Sequence, residues 1–323
     1  MNDADEPIYG GSIPSGADSV NPYRSEPTVV EVDATIDGAV AAGEPRLWTV
    51  SLTFFVAFIG MLVASVLAVL PFVIPEVMAN GGQAPAPDKL AEKLTSPVGF
   101  LATAFPPQLC LMLTAVMAAY LSPIPLKQRL GLKPSGLTTF ETAVVAMSVF
   151  LPGTIGMLLA NFLSSLMEPD PTAAKLWDNM TPAFVVPYVM FIALMPGFGE
   201  EMLFRGYLQR RLLKRWSPMP AILLTSLLFA AIHLMPHTVV FAFPVGLWLG
   251  YIAWKTDSIW PTILAHVTIN GVWNIVQTSK SLMGYSDTVY YVALAVIVVL
   301  GVAAFVRSLG ILSKRTTEHP QPT

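Results

Sequence analysis

Charged residues are scarce in this chain, and those present are confined to short segments. Asp, Glu, Lys and Arg make up 12% of the 323 residues and apolar residues 54%, whereas a soluble domain carries about 25% charged residues. This composition excludes an ordinary soluble domain and predicts an integral membrane protein. The few basic residues form no basic, aromatic-interleaved surface, so nucleic acid is not expected as a partner.

The sequence also lacks a second cysteine and the features typical of a cleavable signal peptide. The single cysteine, Cys110, has no partner for an internal disulfide, and its apolar neighbours place it in a membrane span, where we expect it to pack. Residues 1–46 are acidic and have no apolar periodicity, which predicts a disordered N-terminal tail. That tail has no basic segment and no small-residue cleavage site, so we expect the first hydrophobic span to remain in the mature protein.

The chain contains many long apolar runs. A helix needs about 20 residues to cross a bilayer, and these runs are long enough. The runs lie within residues 47–75, 94–126, 142–167, 179–199, 216–254, 258–279 and 288–306. The fifth run is long enough for two helices joined near Pro236. The sequence therefore predicts an all-α, polytopic membrane helical bundle of about eight transmembrane helices over residues 47–307. Residues 308–323 are left as a short polar C-terminal tail.

Basic residues cluster in alternate connections between these spans. The clusters after spans two, four, six and eight contain Lys127, Arg129, Lys133, Arg210, Arg211, Lys214, Arg215, Lys255, Arg307, Lys314 and Arg315. Cytoplasmic loops carry an excess of Lys and Arg. We therefore expect a multi-pass protein with both termini in the cytoplasm, and we place it in the plasma membrane, with the lipid bilayer as its surroundings.

Polar and ionisable side chains occur at three places inside the expected spans. Counted at 1.5 Å per residue from the expected cytoplasmic ends of the spans at Arg210, Pro218 and Asp257, Glu200 lies about 15 Å deep, His233 about 22 Å, His266 about 13 Å and Asn270 about 20 Å. An ionised group at such a depth costs about 3 kcal/mol on insertion scales. Residues that carry such a cost usually have a function. Because these four lie at similar depths, we interpret them as one shared site.

The spacing within each helix supports a shared site. Glu201 and Arg205 are four residues apart, so they lie on one face, where Arg can hold a carboxylate in place. Residues His266, Asn270 and Asn274 repeat at four-residue steps on an apolar span. This repeat predicts a polar stripe that faces the interior of the bundle.

A carboxylate, two imidazoles and an amide in a dry cavity suit hydrolysis by an activated water. Glu200 can take a proton from water and return it later, and His233 can help to position that water. Donors from His266 and Asn270 can stabilise an oxyanion, each worth about 3 to 4 kcal/mol. We expect Phe229, one helical turn before His233, to wall the site. The pattern contains no serine or cysteine nucleophile with an adjacent base.

Three short segments carry these residues in order along the chain. They are Glu200-Glu201-Met-Leu-Phe-Arg205, Phe229-Ala-Ala-Ile-His233 and His266-Val-Thr-Ile-Asn270. The trio resembles the EExxxR, FxxxH and HxxxN motifs of the CAAX prenyl endopeptidase and bacteriocin-processing family of intramembrane proteases. The resemblance covers about residues 120–280, which we interpret as the protease motif region.

The resemblance implies a polytopic helical fold that cleaves a peptide bond of a membrane-associated or prenylated (CAAX-type) protein or peptide. It further implies that Glu200 and His233 activate water, while His266 and Asn270 bind the oxyanion. The second Glu and the Arg of the first motif would shape the site.

The resemblance leaves the cofactor open. Glu200, His233 and His266 could supply a zinc set of two histidines and one carboxylate with an open fourth position. No HExxH pair is present, and zinc would take His266 away from the oxyanion, so we favour a reaction without a metal.

Two other functions fit the same residues. A proton-coupled transporter also uses carboxylates and histidines at membrane depth, and Pro196-Gly197 would then mark a broken helix. The second alternative is a non-enzymatic immunity or adaptor protein on the same scaffold.

Overall fold

The computed structural model describes residues 46–167, 176 and 179–316 of the chain. Within these residues the regular secondary structure is helical and contains no strand, which confirms the predicted all-α class. The predicted disordered tail, apart from Arg46, lies outside the described residues. The same is true of the predicted C-terminal tail from residue 317 onward.

Eleven helices position the functional site, and they are numbered here in chain order over the described residues. They are α1 Trp48–Ala79, α2 Pro87–Thr95, α3 Pro97–Tyr120, α4 Leu126–Arg129, α5 Thr139–Met147, α6 Phe150–Ser164, α7 Pro182–Glu201, α8 Pro218–Ala231, α9 Pro236–Thr256, α10 Trp260–Met283 and α11 Asp287–Ser313. A π-helical segment, Met202–Gln209, continues α7 into a last turn, Arg210–Leu212. Because α11 ends at Ser313, it passes residue 307, where we had placed the end of the bundle.

Six helices of the described residues are long and apolar enough to cross a membrane, so the protein is an integral membrane protein. They are α1, α3, the combined α5–α6, α7 with its continuation, α9 and α11. The expected count of eight is not confirmed. The seventh candidate, α8, is apolar but has only 14 residues, and α10 carries the polar stripe, which lowers its mean hydropathy.

Local sequence signals set the helix boundaries. Proline occupies the first turn of six of the helices, α2, α3, α7, α8, α9 and α10, where its missing N–H costs nothing. Thr138 and Glu141 form a reciprocal capping box at the start of α5. At their C-terminal ends, α9 and α10 stop at left-handed residues, Asp257 and Gly284.

The site-bearing helix α7 lies between α3 and α10, and α1 packs on the far side of α3. Close approaches of backbone support this order. A Cβ added to Gly60 of α1 would lie 2.7 Å from Cys110 Sγ of α3, so the lone cysteine packs between helices as expected. A Cβ on Gly197 of α7 would lie 2.7 Å from a methyl carbon of Val267 on α10.

The basic connections after spans two, four, six and eight meet at one end of the bundle. Asp257, at the end of α9, forms ion pairs with Lys133 and Arg210. Arg315 donates hydrogen bonds to the carbonyl oxygens of Ser135 and Gly136. The alternation of basic loops seen in the sequence is therefore also a spatial grouping.

Candidate active site

Two adjacent carboxylates end α7 in the interior of the protein. Glu200 is 2% exposed and Glu201 is fully buried, and the π-helical segment begins at the next residue. Wide turns of this kind are frequent at functional sites. The Pro196-Gly197 pair, which a transporter would use as a helix break, lies inside a continuous helix.

Glu201 is the centre of a buried ion cluster. Its Oε1 accepts hydrogen bonds from Arg205 Nη1 at 2.7 Å and from His266 Nδ1 at 2.9 Å. Arg205 is itself 1% exposed, donates to the carbonyl of Gly246 on α9, and lies over the ring of Phe229 at 4.3 Å. The cluster therefore ties α7, α9 and α10 together around one carboxylate.

Glu200 has different neighbours. Its Oε1 accepts a hydrogen bond from Gln108 Nε2 of α3 at 3.0 Å, while its Oε2 is buried without a hydrogen-bond partner among the described residues. His266 Nε2 lies 3.9 Å from that Oε2, which is too far for a direct hydrogen bond. One oxygen of this carboxylate is thus held in place, and the other makes no hydrogen bond among the described residues, as is also true of Glu201 Oε2.

His233 lies in the turn after α8, beyond the helix end at Ala231. Its Nδ1 is 3.0 Å from the carbonyl oxygen of Phe229. A carbonyl only accepts, so Nδ1 carries the hydrogen and the neutral ring keeps a lone pair on Nε2. The Phe229 ring packs edge-on against both His233, at 5.4 Å, and His266, at 5.8 Å, and so forms a wall of the site as the spacing predicts.

The polar stripe of α10 faces the bundle interior, as predicted, and meets α7 along an antiparallel interface. His266 contacts Glu201. One turn further along α10, Asn270 Nδ2 donates to the carbonyl of Ile192 at 3.1 Å, and at the next turn Asn274 Oδ1 accepts from Tyr188 at 2.7 Å. In this structure the Asn270 amide therefore bonds to the α7 backbone at Ile192, eight residues before Glu200, and not to the carboxylates.

One residue in contact with Glu200 was missed by the sequence interpretation. Gln108 lies in the second charge-free run, 92 positions before Glu200, and no local spacing connects the two. A signal was available, because Gln108 is a strongly polar side chain in the middle of an apolar span and directly follows Pro106 and Pro107. Polar residues inside spans are seldom placed without a partner.

The side chains do not fit the zinc alternative. Across the parts of the chain that the structure describes, no group of three or more His, Cys, Asp and Glu side chains is placed to hold a metal ion. Glu200, His233 and His266, the candidate ligands, therefore do not assemble into a metal set.

The fold and the site define a class, an integral membrane protein with a buried Glu, His and Arg cluster among its helices. A family model described as Rce1-like, Type II CAAX prenyl endopeptidase Rce1-like, matches residues 182–272. That segment includes all three motifs, and the match confirms their assignment to the CAAX prenyl endopeptidase and bacteriocin-processing family. Comparison with curated proteins gave no match, and comparison with solved structures gave none either.

Proposed function

We propose that this protein is an intramembrane endopeptidase that hydrolyses a peptide bond of a membrane-associated or prenylated (CAAX-type) protein with an activated water. The proposal rests on the burial and the hydrogen bonding of the Glu200 carboxylate. This carboxylate is buried inside the family-matched segment, is held at one oxygen, and has its other oxygen without a partner among the described residues. An oriented carboxylate with a free lone pair is what a general base requires.

The first half of the reaction begins with a water on Glu200 Oε2. As the water oxygen bonds to the substrate carbonyl carbon, one hydrogen passes to Glu200 and the carbonyl electron pair moves onto oxygen. We assign His233 the role of helping to position this water. When the tetrahedral intermediate collapses, Glu200 returns the proton to the leaving amide nitrogen, so the carboxylate is regenerated.

Stabilisation of the oxyanion falls to His266 and Asn270. Because His266 Nδ1 donates to Glu201, its Nε2 can donate to an oxyanion only when the ring is doubly protonated, and Glu201 is the carboxylate that balances that cation. Asn270 Nδ2 carries two hydrogens, so one can donate to the oxyanion while the other remains on the Ile192 carbonyl. Glu201 and Arg205 act by holding His266 in position.

The proposal is tested with Glu200→Gln, which keeps the size of the side chain and can still accept from Gln108. The probe is a fluorogenic farnesylated peptide with a CAAX-type C-terminus, and the same peptide without the lipid serves as its matched control. We expect the substitution to lower kcat about 10²- to 10⁴-fold and to leave the thermal unfolding midpoint unchanged.

Proteomics of membranes that contain either the wild type or Glu200→Gln extends the test to unknown substrates, because an uncleaved precursor should accumulate in the variant. A Glu200→Gln protein with full proteolytic activity would overturn the mechanism. If neither assay finds any Glu200-dependent cleavage, the proposed peptidase function is wrong and the non-enzymatic adaptor function takes its place.

The same proposal places both termini and the basic end of the bundle in the cytoplasm, with the protein in the cell membrane. Charge asymmetry between the two ends supports this orientation. The test uses cysteine labelling of intact cells in a Cys110→Ala background, with Lys127→Cys at the basic end and Gln83→Cys at the other. An impermeant maleimide should label position 83 alone, and labelling of position 127 alone would reverse the orientation.

A further inference from the structure

Gln108 links α3 to the proposed catalytic carboxylate. Its Nε2 donates to Glu200 Oε1 at 3.0 Å, and Gln108 belongs neither to the three motifs nor to the matched residues 182–272. The contact brings to the site a helix that the family match does not cover.

Backbone packing fixes the position of Gln108. The preceding residues, Pro106 and Pro107, lie inside α3 and remove two backbone donors from its hydrogen-bond ladder. A Cβ added to Gly199 would lie 3.3 Å from the Gln108 carbonyl oxygen, so the absence of a side chain there lets α3 approach α7 closely. The glutamine is therefore set beside Glu200 by two helix backbones and not by a flexible loop.

The orientation of the Gln108 amide follows from the chemistry of its partner. An ionised carboxylate only accepts hydrogen bonds, so the amide nitrogen faces Glu200 and the amide oxygen is turned away from it. That oxygen, Oε1, is buried and has no partner among the described residues, and the same holds for Glu200 Oε2. Two groups joined by one hydrogen bond thus each present one unsatisfied acceptor.

A buried acceptor without a donor costs about 1 to 3 kcal/mol, and buried water commonly satisfies such groups. One water molecule carries two hydrogens and can donate one to each of the two acceptors. Its oxygen lone pairs would then remain free, which is the orientation needed for attack on a carbonyl carbon.

We propose that Gln108 is a further catalytic residue, whose amide nitrogen holds Glu200 and whose amide oxygen accepts a hydrogen bond from the hydrolytic water. This inference rests on the proposed peptidase function. The hydrogen that points at Glu200 is transferred to the carboxylate as the water oxygen attacks. The hydrogen that points at Gln108 stays on the oxygen and becomes the hydroxyl of the tetrahedral intermediate.

The kinetic test uses Gln108→Leu, which removes donor and acceptor at similar volume. With the farnesylated peptide we expect kcat to fall about 10- to 100-fold, the equivalent of one hydrogen bond to a charged group, while KM stays within about twofold. Thr114→Val is the matched control, because the Thr114 hydroxyl bonds to the carbonyl of Cys110 within α3. This control should keep the wild-type kcat.

The pH dependence of activity in Gln108→Glu distinguishes a catalytic role of Gln108 from a purely structural one. A second carboxyl beside Glu200 makes the two groups share one proton, and a protonated Glu at position 108 can donate as the glutamine does. Activity of this variant should survive on the acidic side and disappear as the shared proton is lost, so the alkaline limb of its pH profile should be shifted from the one that the required His266 imidazolium gives the wild type.

Infrared spectroscopy tests the contact without any substrate. The Glu200 carboxylate band is assigned by its loss in Glu200→Gln, and it should shift in Gln108→Leu but not in Thr114→Val. An unshifted band, or a wild-type kcat in Gln108→Leu while Glu200→Gln is inactive, overturns the role of Gln108 and leaves the peptidase intact. Absence of Glu200-dependent cleavage in the wild type overturns both.

Discussion

His266 donates from Nδ1 to Glu201 Oε1 at 2.9 Å across the interface of α7 and α10. The same oxygen accepts from Arg205 at 2.7 Å, so one carboxylate balances one permanent cation and one imidazole. The two adjacent glutamates therefore have different partners, since Glu200 accepts a hydrogen bond from Gln108. In the proposed mechanism Glu201 holds the cluster together and Glu200 takes part in the reaction.

Substitution of Glu201 should destabilise the protein as well as inactivate it. Glu201→Gln leaves Arg205, which is 1% exposed, without its counter-charge, and loss of one partner of a buried pair costs about 3 to 5 kcal/mol. We expect a lower thermal unfolding midpoint in detergent together with a loss of cleavage, whereas Glu200→Gln should lose cleavage alone.

Asp287→Asn is the control for the Glu201 substitution, because it removes an ion pair, to Lys280, whose carboxylate is mostly exposed. No change in the midpoint is expected there. If Glu201→Gln unfolds at the wild-type temperature, the cluster does not hold the helices together and the proposed division between the two glutamates is wrong.

The sequence predicted those parts of the site that depend on periodicity within one helix. A four-residue repeat connects His266, Asn270 and Asn274 whatever surrounds the helix, and a four-residue spacing likewise pairs Glu201 with Arg205. The direction of the stripe also followed, because a polar face on an apolar helix avoids lipid.

Contacts between distant segments could not be predicted in the same way. Gln108 meets Glu200 because Gly199 allows two backbones to approach, and a single sequence does not encode which spans are neighbours. The π-helical segment Met202–Gln209 was missed because its residues are ordinary helix formers. The span count is not confirmed, because hydropathy by itself does not separate the short helix α8 from a full crossing.

We expect Asn270 to have a chemical role and Asn274 to have a structural role. Both amides bond to α7 in this structure, Asn270 to a backbone carbonyl and Asn274 to the Tyr188 hydroxyl. If Asn270 donates to the oxyanion, Asn270→Ala should lower kcat about 100-fold, equivalent to about 3 kcal/mol, with little change in KM. Asn274→Ala should lower the thermal midpoint and leave kcat within about threefold.

Steady-state kinetics on the farnesylated peptide, with thermal unfolding measured in parallel, separates the two asparagines. Equal effects of both substitutions on kcat and on the midpoint would mean that Asn270 only links the two helices. Its hydrogen bond to the Ile192 carbonyl is such a link. The oxyanion would then depend on His266.

Gly156 of α6 should be intolerant of any side chain. A Cβ at this position would lie 2.5 Å from the carbonyl oxygen of Phe241 on α9, and a backbone atom inside a helix cannot turn away as a side chain can. We expect Gly156→Ala to cost about 1 to 3 kcal/mol of unfolding free energy, measured by thermal or denaturant unfolding in detergent. Gly310→Ala is the matched control, since nothing lies within 4 Å of its added Cβ. Equal stability of the two variants would contradict the close contact of α6 with α9.

Lys214 offers a test of electrostatics at the basic end of the bundle, outside the membrane-spanning segments. Burial, followed by repulsion from Arg129, Arg210 and Arg211, lowers the pKa of Lys214 below its ordinary value of 10.5. Burial, and next the charge of Arg211, likewise lowers the pKa of Arg129 to about 10. A positive charge at position 214 is therefore unfavourable in the folded protein at neutral pH.

Lys214→Gln should accordingly raise the thermal unfolding midpoint at neutral pH in an uncharged detergent. The gain should stay below about 1 kcal/mol because the side chain is only half buried. Since the folded state of the wild type binds fewer protons than the unfolded state between the lowered pKa and 10.5, its stability rises with pH through that window. The advantage of the variant should therefore shrink as the pH approaches 10.5, while Lys89→Gln, at an exposed position on α2, should match the wild type at every pH. An advantage that grows with pH would show that Lys214 is stabilising, and the repulsion inferred at this end of the bundle would be wrong.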